Sequence, residues 1–253
     1  MSNEQTSPVD PQAEVAPQVA SHSLKHAVIL GSIGFVAACL SSLAVGAMGE
    51  VFTLPPEIVQ LGVGAVPGGD TQKIIVAASI AVFYRNSALW LATTGIIVGG
   101  LFGFVGGHGN NKSRIVRTVC AVIAGAAFGA AAGIHAVYYG EKCLELLKTG
   151  PLSVPESMVM QLHGTTWLIF GLGIGLGSAL GSSQRRSAIN KIAQGMLLGG
   201  IAAAVGGVLY PFVAGIAIPL IDPSIPIPLE SNNRLLWMSL PCAILGLALG
   251  RRS

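Results

Sequence analysis

The chain has 253 residues, 52% hydrophobic and only 10% charged, with a mean hydropathy of +0.69. A soluble domain of ordinary composition carries about 25% charged residues, so this chain cannot cover a water-facing surface of normal size. Its net charge is only +3, and the basic residues sit in short clusters between apolar runs. That pattern offers no basic patch for nucleic acid, and no nucleic-acid partner is expected.

Residues 1–24 are polar, with Pro8, Pro11 and Pro17 set among Ser, Gln, Glu and Asp. Such a segment cannot bury a core and is expected as a disordered cytoplasmic tail. Residues 25–253 are expected to form a single transmembrane domain. The first span covers 27–48. Within it, Val36-Ala37-Ala38-Cys39 has the form of a lipoprotein cleavage box, but apolar sequence runs well past Cys39, which favours a span. Between 49 and 87 lie the Leu54-Pro55-Pro56-Glu57 turn, a Gly/Pro/Asp turn at 67–70 and an apolar run at 74–84 flanked by Lys73 and Arg85. That run is too short to cross a bilayer alone, which takes about 20 residues. It is expected to be interfacial or re-entrant, with a seventh span as the second reading. The remaining spans are 88–107, 118–139, 162–181, 192–212 and 235–250, with a kink expected at Pro211.

The fold class is therefore an all-α polytopic membrane protein of six transmembrane helices. Lys25, Lys112, Arg114, Arg117, Arg185, Arg186, Lys191, Arg251 and Arg252 fall on one side of it. Lys73, Arg85, Lys142, Lys148 and Arg234 fall on the other. The positive-inside rule then puts both termini in the cytoplasm of a multi-pass plasma (inner) membrane protein.

Glycines recur at every fourth residue inside the spans: Gly95, Gly99, Gly103 and Gly107; Gly125, Gly129 and Gly133; Gly173, Gly177 and Gly181; Gly199 and Gly207; Gly246 and Gly250. A stripe of residues without side chains lets a second helix backbone approach closely in lipid. The spans also read as three successive hairpins with a triplicated pattern. Arg117, Gly125, Gly129 and Gly133 align without a gap on Lys191, Gly199, Ala203 and Gly207, and Gly34, Ala38, Ser42 and Gly46 keep that spacing. Trp90, Gly99 and Gly103 align on Trp237, Gly246 and Gly250, and Trp167 opens the third such span one residue out of step. The intervening loops carry Pro56-Glu57, Pro155-Glu156 and Pro228-Leu229-Glu230.

Chemistry-bearing residues are few. The spans hold no Asp or Glu, which argues against a carboxylate-driven pump. His135 lies 18 residues after Arg117, about 27 Å along a helix at about 1.5 Å per residue, and so near the outer surface. His163 opens the fourth span at the same face, with Glu141 and Glu156 in the loop between. These four are the candidate ligands for a substrate or ion, since His and carboxylate suit several divalent metals, although their spacing matches no metal motif. Trp90, Trp167 and Trp237, with Tyr138 and Tyr139, are expected as an interfacial aromatic belt. Ser41, Ser42, Thr93, Thr94, Thr165 and Thr166 are expected to bond to the preceding helical turn or across helices, in packing rather than as the lining of a path for a neutral solute. The four cysteines show no C-x-x-C spacing, so no disulfide framework or zinc motif is read. No catalytic motif appears; no cofactor is expected and the chain is not expected to be an enzyme.

Two functional readings follow. The first is a small-solute or ion transporter or channel with its path between the three hairpins. The alternative is a non-catalytic scaffold or assembly protein that uses its glycine stripes to bind membrane partners or further copies of itself. The first expects polar residues from several hairpins to converge; the second expects a solid bundle with a glycine-lined groove open to lipid.

Overall fold

The structure is a computed structural model that describes residues 12–62, 68–106, 111–150, 153–180, 188–218 and 221–251. Seven helices and no strand occur among these residues: α1 Gln12–Met48, α2 Pro56–Leu61, α3 Asp70–Val105, α4 Asn111–Thr149, α5 Glu156–Leu180, α6 Ala188–Ala217 and α7 Ser231–Gly250. All but α2 are long and apolar enough to cross a membrane. Their outward faces are apolar, as at Leu43, Ile123, Ile189, Leu197 and Ile216. This is a polytopic helical membrane protein in contact with lipid.

Two segments differ from the sequence expectation. Helix α1 begins at Gln12, so residues 12–24 are helical and not a disordered tail. Once the apolar span is helical, adding residues to its end avoids the cost of a new nucleus. The 74–84 run is neither re-entrant nor a separate span. It is the first part of α3, a single 36-residue helix about 54 Å long at about 1.5 Å per residue. The hydrocarbon core is about 30 Å thick, so α3 and the 39-residue α4 project together beyond it. The Tyr84 hydroxyl donates to Glu141 (2.7 Å) across this projecting pair.

The glycine stripes pair helices that sit at different points in the chain. Gly125, Gly199 and Gly34 are each pressed against a backbone carbonyl, those of Gly95, Gly171 and Cys242. Four residues further along the opposing helices, Gly99, Gly175 and Gly246 meet the carbonyls of Ala121, Gly195 and Leu30. Gly129 meets Leu91, Gly133 meets Ser87, Gly207 meets His163, Gly103 meets Thr118 and Gly250 meets Ala27. A Cβ at any of these positions would collide with backbone, and backbone cannot yield as a side-chain tip can. The closest pairs are thus α3 with α4, α5 with α6, and α1 with α7. Two are joined through the basic loops, and the third unites the first and last helices. They are not the α1/α3, α4/α5 and α6/α7 hairpins that the outer loops suggest. The Pro/Glu loops join helices of neighbouring pairs, whose contacts are looser; Gly173 against Phe128 and Gly177 against Ala121 hold α5 on α4. Gly107 and Gly181 lie outside the described residues.

Helices α3, α5 and α7 turn their largest side chains inward, into one core cluster. Leu91, Trp167 and Met238 lie four residues before the Gly95, Gly171 and Cys242 crossings, and Val98, Ile174 and Leu245 lie three residues after them. Each of these six is at most 1% exposed. Spacings of three and four residues keep them on one helical face, so they form successive apolar layers. Pro211 sits inside α6 without ending it.

Candidate functional site

One turn further from the glycine crossings, the same inward faces turn polar. Ser87, His163 and Arg234 each lie eight residues before Gly95, Gly171 and Cys242. All three are buried, with Asn86 and Asn233 beside them. This polar level is at the end of the bundle that carries the Pro/Glu loops.

His163 is fully held. Its Nδ1 accepts the indole N–H of Trp237 (2.9 Å), and its Nε2 faces the carbonyl of Pro223 (2.7 Å). An indole N–H can only donate and a carbonyl can only accept. The ring is therefore the neutral tautomer with its proton on Nε2. The edge of the ring meets Tyr210, with centroids 4.8 Å apart, and the Tyr210 hydroxyl donates to Asn233. Trp237 stacks at a tilt on Trp167, centroids 4.9 Å apart. The loop after α6 is thus pinned over the polar level by His163.

Arg234 lies against the last turn of α1. A side chain on Gly46 would strike its Nη2, so glycine there is what lets the guanidinium lie flat on that helix. The negative end of the α1 dipole favours a cation at this place. Nη1 donates to the carbonyl of Leu229 (3.0 Å). Nε is buried and has no hydrogen-bond partner, and Ser87 Oγ and Trp167 Nε1 are in the same condition. No ion pair to Arg234 occurs among the described residues. Asn86 accepts from the backbone N–H groups of Val51 (3.1 Å) and Phe52 (2.9 Å) and donates to the Phe52 carbonyl (2.8 Å). Trp90 donates to the Gly49 carbonyl (2.8 Å). Gly49 is left-handed (φ 59°), a conformation that glycine adopts without strain. The chain therefore leaves α1 already turned toward Asn86.

The sequence-derived candidates do not form one site. His135 bonds to the Thr165 hydroxyl (2.7 Å), two residues along α5 from His163 and so about 200° round at about 100° per residue. The two imidazoles lie on different sides of α5. Glu141 is taken by Tyr84, and Glu156 is exposed in the first turn of α5. Among the described residues no group of three His, Cys, Asp or Glu could hold a metal. The tryptophans also depart from expectation: Trp90, Trp167 and Trp237 are buried in the core, and only Tyr138 and Tyr139 face outward. Ser41, Thr94, Thr165 and Thr166 do bond to carbonyls of the preceding turn.

The buried part of the polar level combines a guanidinium, a hydroxyl, a neutral imidazole and amides, and its nearest carboxylate, Asp222, is exposed in the covering loop and bonded to Ser224. That set suits an anion or a neutral hydrogen-bonding solute better than a cation. Comparison with protein-family models, curated proteins and solved structures finds no match. The fold defines a six-span helical membrane protein with a buried polar level among its described residues.

Proposed function

We propose that the protein passes a small polar or anionic solute across the membrane, along the axis between its three glycine-sealed helix pairs. The observation that carries this reading is the buried polar level of Ser87, His163 and Arg234, where two donors lack partners. Buried ionisable groups at membrane depth are costly and usually mark a path or a site. In this reading the conformation is closed: the 221–230 loop covers the polar level, and the Leu91/Trp167/Met238 and Val98/Ile174/Leu245 layers plug the axis. The seams make each pair rigid, while the contacts between pairs are looser, so opening is a movement of pairs against one another.

The same geometry supports a triplicated origin. Equivalent glycines meet equivalent carbonyls in all three pairs, and Ser87, His163 and Arg234 occupy equivalent positions. The repeats run parallel, related by an axis along the membrane normal and not inverted. Basic-loop asymmetry supports cytoplasmic termini in a plasma (inner) membrane, with the polar level facing outward.

The filled axis favours one second reading, a non-catalytic scaffold. In that case the partner would have to use the aliphatic surface, because the glycine stripes are spent inside the chain. Thiol accessibility along the axis separates the two. Hydrophilic reagents reach Ser87→Cys from the outer side if the loop opens, and leave it unmodified if the bundle is a permanent solid.

A further inference from the structure

At the opposite, basic end, the end of α3 and the start of α4 carry a groove of about 460 Å³ lined by Phe104, Asn111, Arg114, Ile115, Thr118 and Val119. Its walls are apolar and outward-facing: Phe104, Ile115 and Val119 are all exposed large hydrophobics. Its head is cationic. Arg114 lies over the Phe104 ring, 5.3 Å from the centroid, and its buried Nε has no hydrogen-bond partner. The neighbouring Arg117 instead donates to the Gly106 carbonyl at the end of α3.

The charge around this groove is one-sided. Between Asp70 and Glu141 the sequence has no acidic residue, and between Glu156 and Asp222 it again has none. These acids bound the α3–α4 and α5–α6 pairs, so neither pair brings a carboxylate to the basic end; Glu14, near the start of α1, is the acid that helix carries on that side. Lys112, next in the chain to the groove residue Asn111, adds a second cation to this end. Arg114 has no ion pair among the described residues, which leaves it open to an anion from outside the bundle.

We propose that this groove holds one anionic phospholipid, its phosphate on Arg114 and Lys112 and an acyl chain along Phe104, Ile115 and Val119. A free phosphate would use the cations and leave the aliphatic wall without a role. A zwitterionic lipid would use the wall but bring a cation toward Arg114. Basic pockets between transmembrane helices recognise anionic headgroups in this manner.

The test is lipid retention by the full-length protein in nanodiscs of equal phosphatidylglycerol and phosphatidylcholine, read by native mass spectrometry after detergent release. The wild type is expected to keep phosphatidylglycerol at least fivefold over phosphatidylcholine, with added inorganic phosphate failing to displace it. Arg114→Gln is expected to abolish the preference and Arg114→Lys to retain part of it. Phe104→Ala is expected to weaken retention of both lipids. Circular dichroism checks that each variant keeps its helix content. Equal retention of the two lipids by the wild type, an unchanged preference in Arg114→Gln, or displacement by inorganic phosphate would each overturn the proposal.

Discussion

A side chain on Gly125 would occupy the space of the Gly95 carbonyl oxygen, and one on Gly95 the space of the Gly125 carbonyl oxygen. The two helices touch through backbone alone at this point, and the same contact recurs where Gly199 meets Gly171. In lipid there is no hydrophobic drive to bring helices together. Close backbone approach, with its dispersion and Cα–H···O contacts, has to supply the association.

Gly129→Leu is expected to lower stability in detergent by more than the about 1–3 kcal/mol typical of overpacking, because it meets the Leu91 carbonyl. Gly215, on α6, has open space around it, so Gly215→Leu is expected to be neutral or slightly stabilising. Thermal unfolding of both variants checks this. Equal losses would remove the seam as the source of stability.

His163 should be neutral, with its proton on Nε2. Nitrogen chemical shifts of selectively labelled protein read the tautomer directly. Trp237→Phe removes the donor that His163 Nδ1 has among the described residues and leaves a buried acceptor unpaired, at a cost of about 1–3 kcal/mol. Protonating the ring would set Nδ1–H against the Trp237 N–H, so the Nε2–H signature is expected to persist under mild acidification.

No divalent metal should bridge the histidines. His135 and His163 project from different sides of the α5 interface, bonded to Thr165 and Pro223. Titration with Zn²⁺ is expected to give the same affinity in wild type and in His135→Ala. A tenfold loss in the variant would revive a shared site.

Topology is read by labelling single cysteines in a background lacking the four native ones. Ser113→Cys is expected to resist an impermeant reagent applied to intact cells, while Ser153→Cys and Ser231→Cys are expected to react. Labelling of Ser113→Cys from outside would invert the arrangement.

The number of apolar spans and the four-residue spacing of the small residues were legible because they depend on local composition and on a four-residue period. Pairing was not legible, since a glycine stripe states that a backbone approaches but not whose. That is why Gly246 could not be matched to Leu30, more than 200 residues earlier. The 74–84 run was misread because its length was judged against a bilayer, whereas it continues through Arg85 and Asn86 into the span. Those two polar residues look like a helix boundary in sequence; Asn86 is tolerated inside the helix because the 51–52 backbone satisfies it. His163 was found, but its true partners, Trp237 and Pro223, lie more than 50 residues away. Arg234 was read as a loop cation. Its signal was present in the alignment, eight residues before Cys242 as Ser87 is before Gly95, but the burial that gives it meaning comes only from Gly46 across the α1–α7 seam.

The most direct test of the central claim is thiol reactivity along the axis. In a background lacking native cysteines, Val98→Cys and Ile174→Cys place thiols in the deepest apolar layer, and Ser87→Cys one at the polar level. If the axis is a path, a small hydrophilic methanethiosulfonate reagent modifies Ser87→Cys from the outer side. It also modifies the Val98 and Ile174 variants at measurable rates, as opening exposes the layers to water. Complete inertness of Val98→Cys and Ile174→Cys from both sides, in a protein whose Ser153→Cys control reacts fully, would contradict a path and leave a solid bundle.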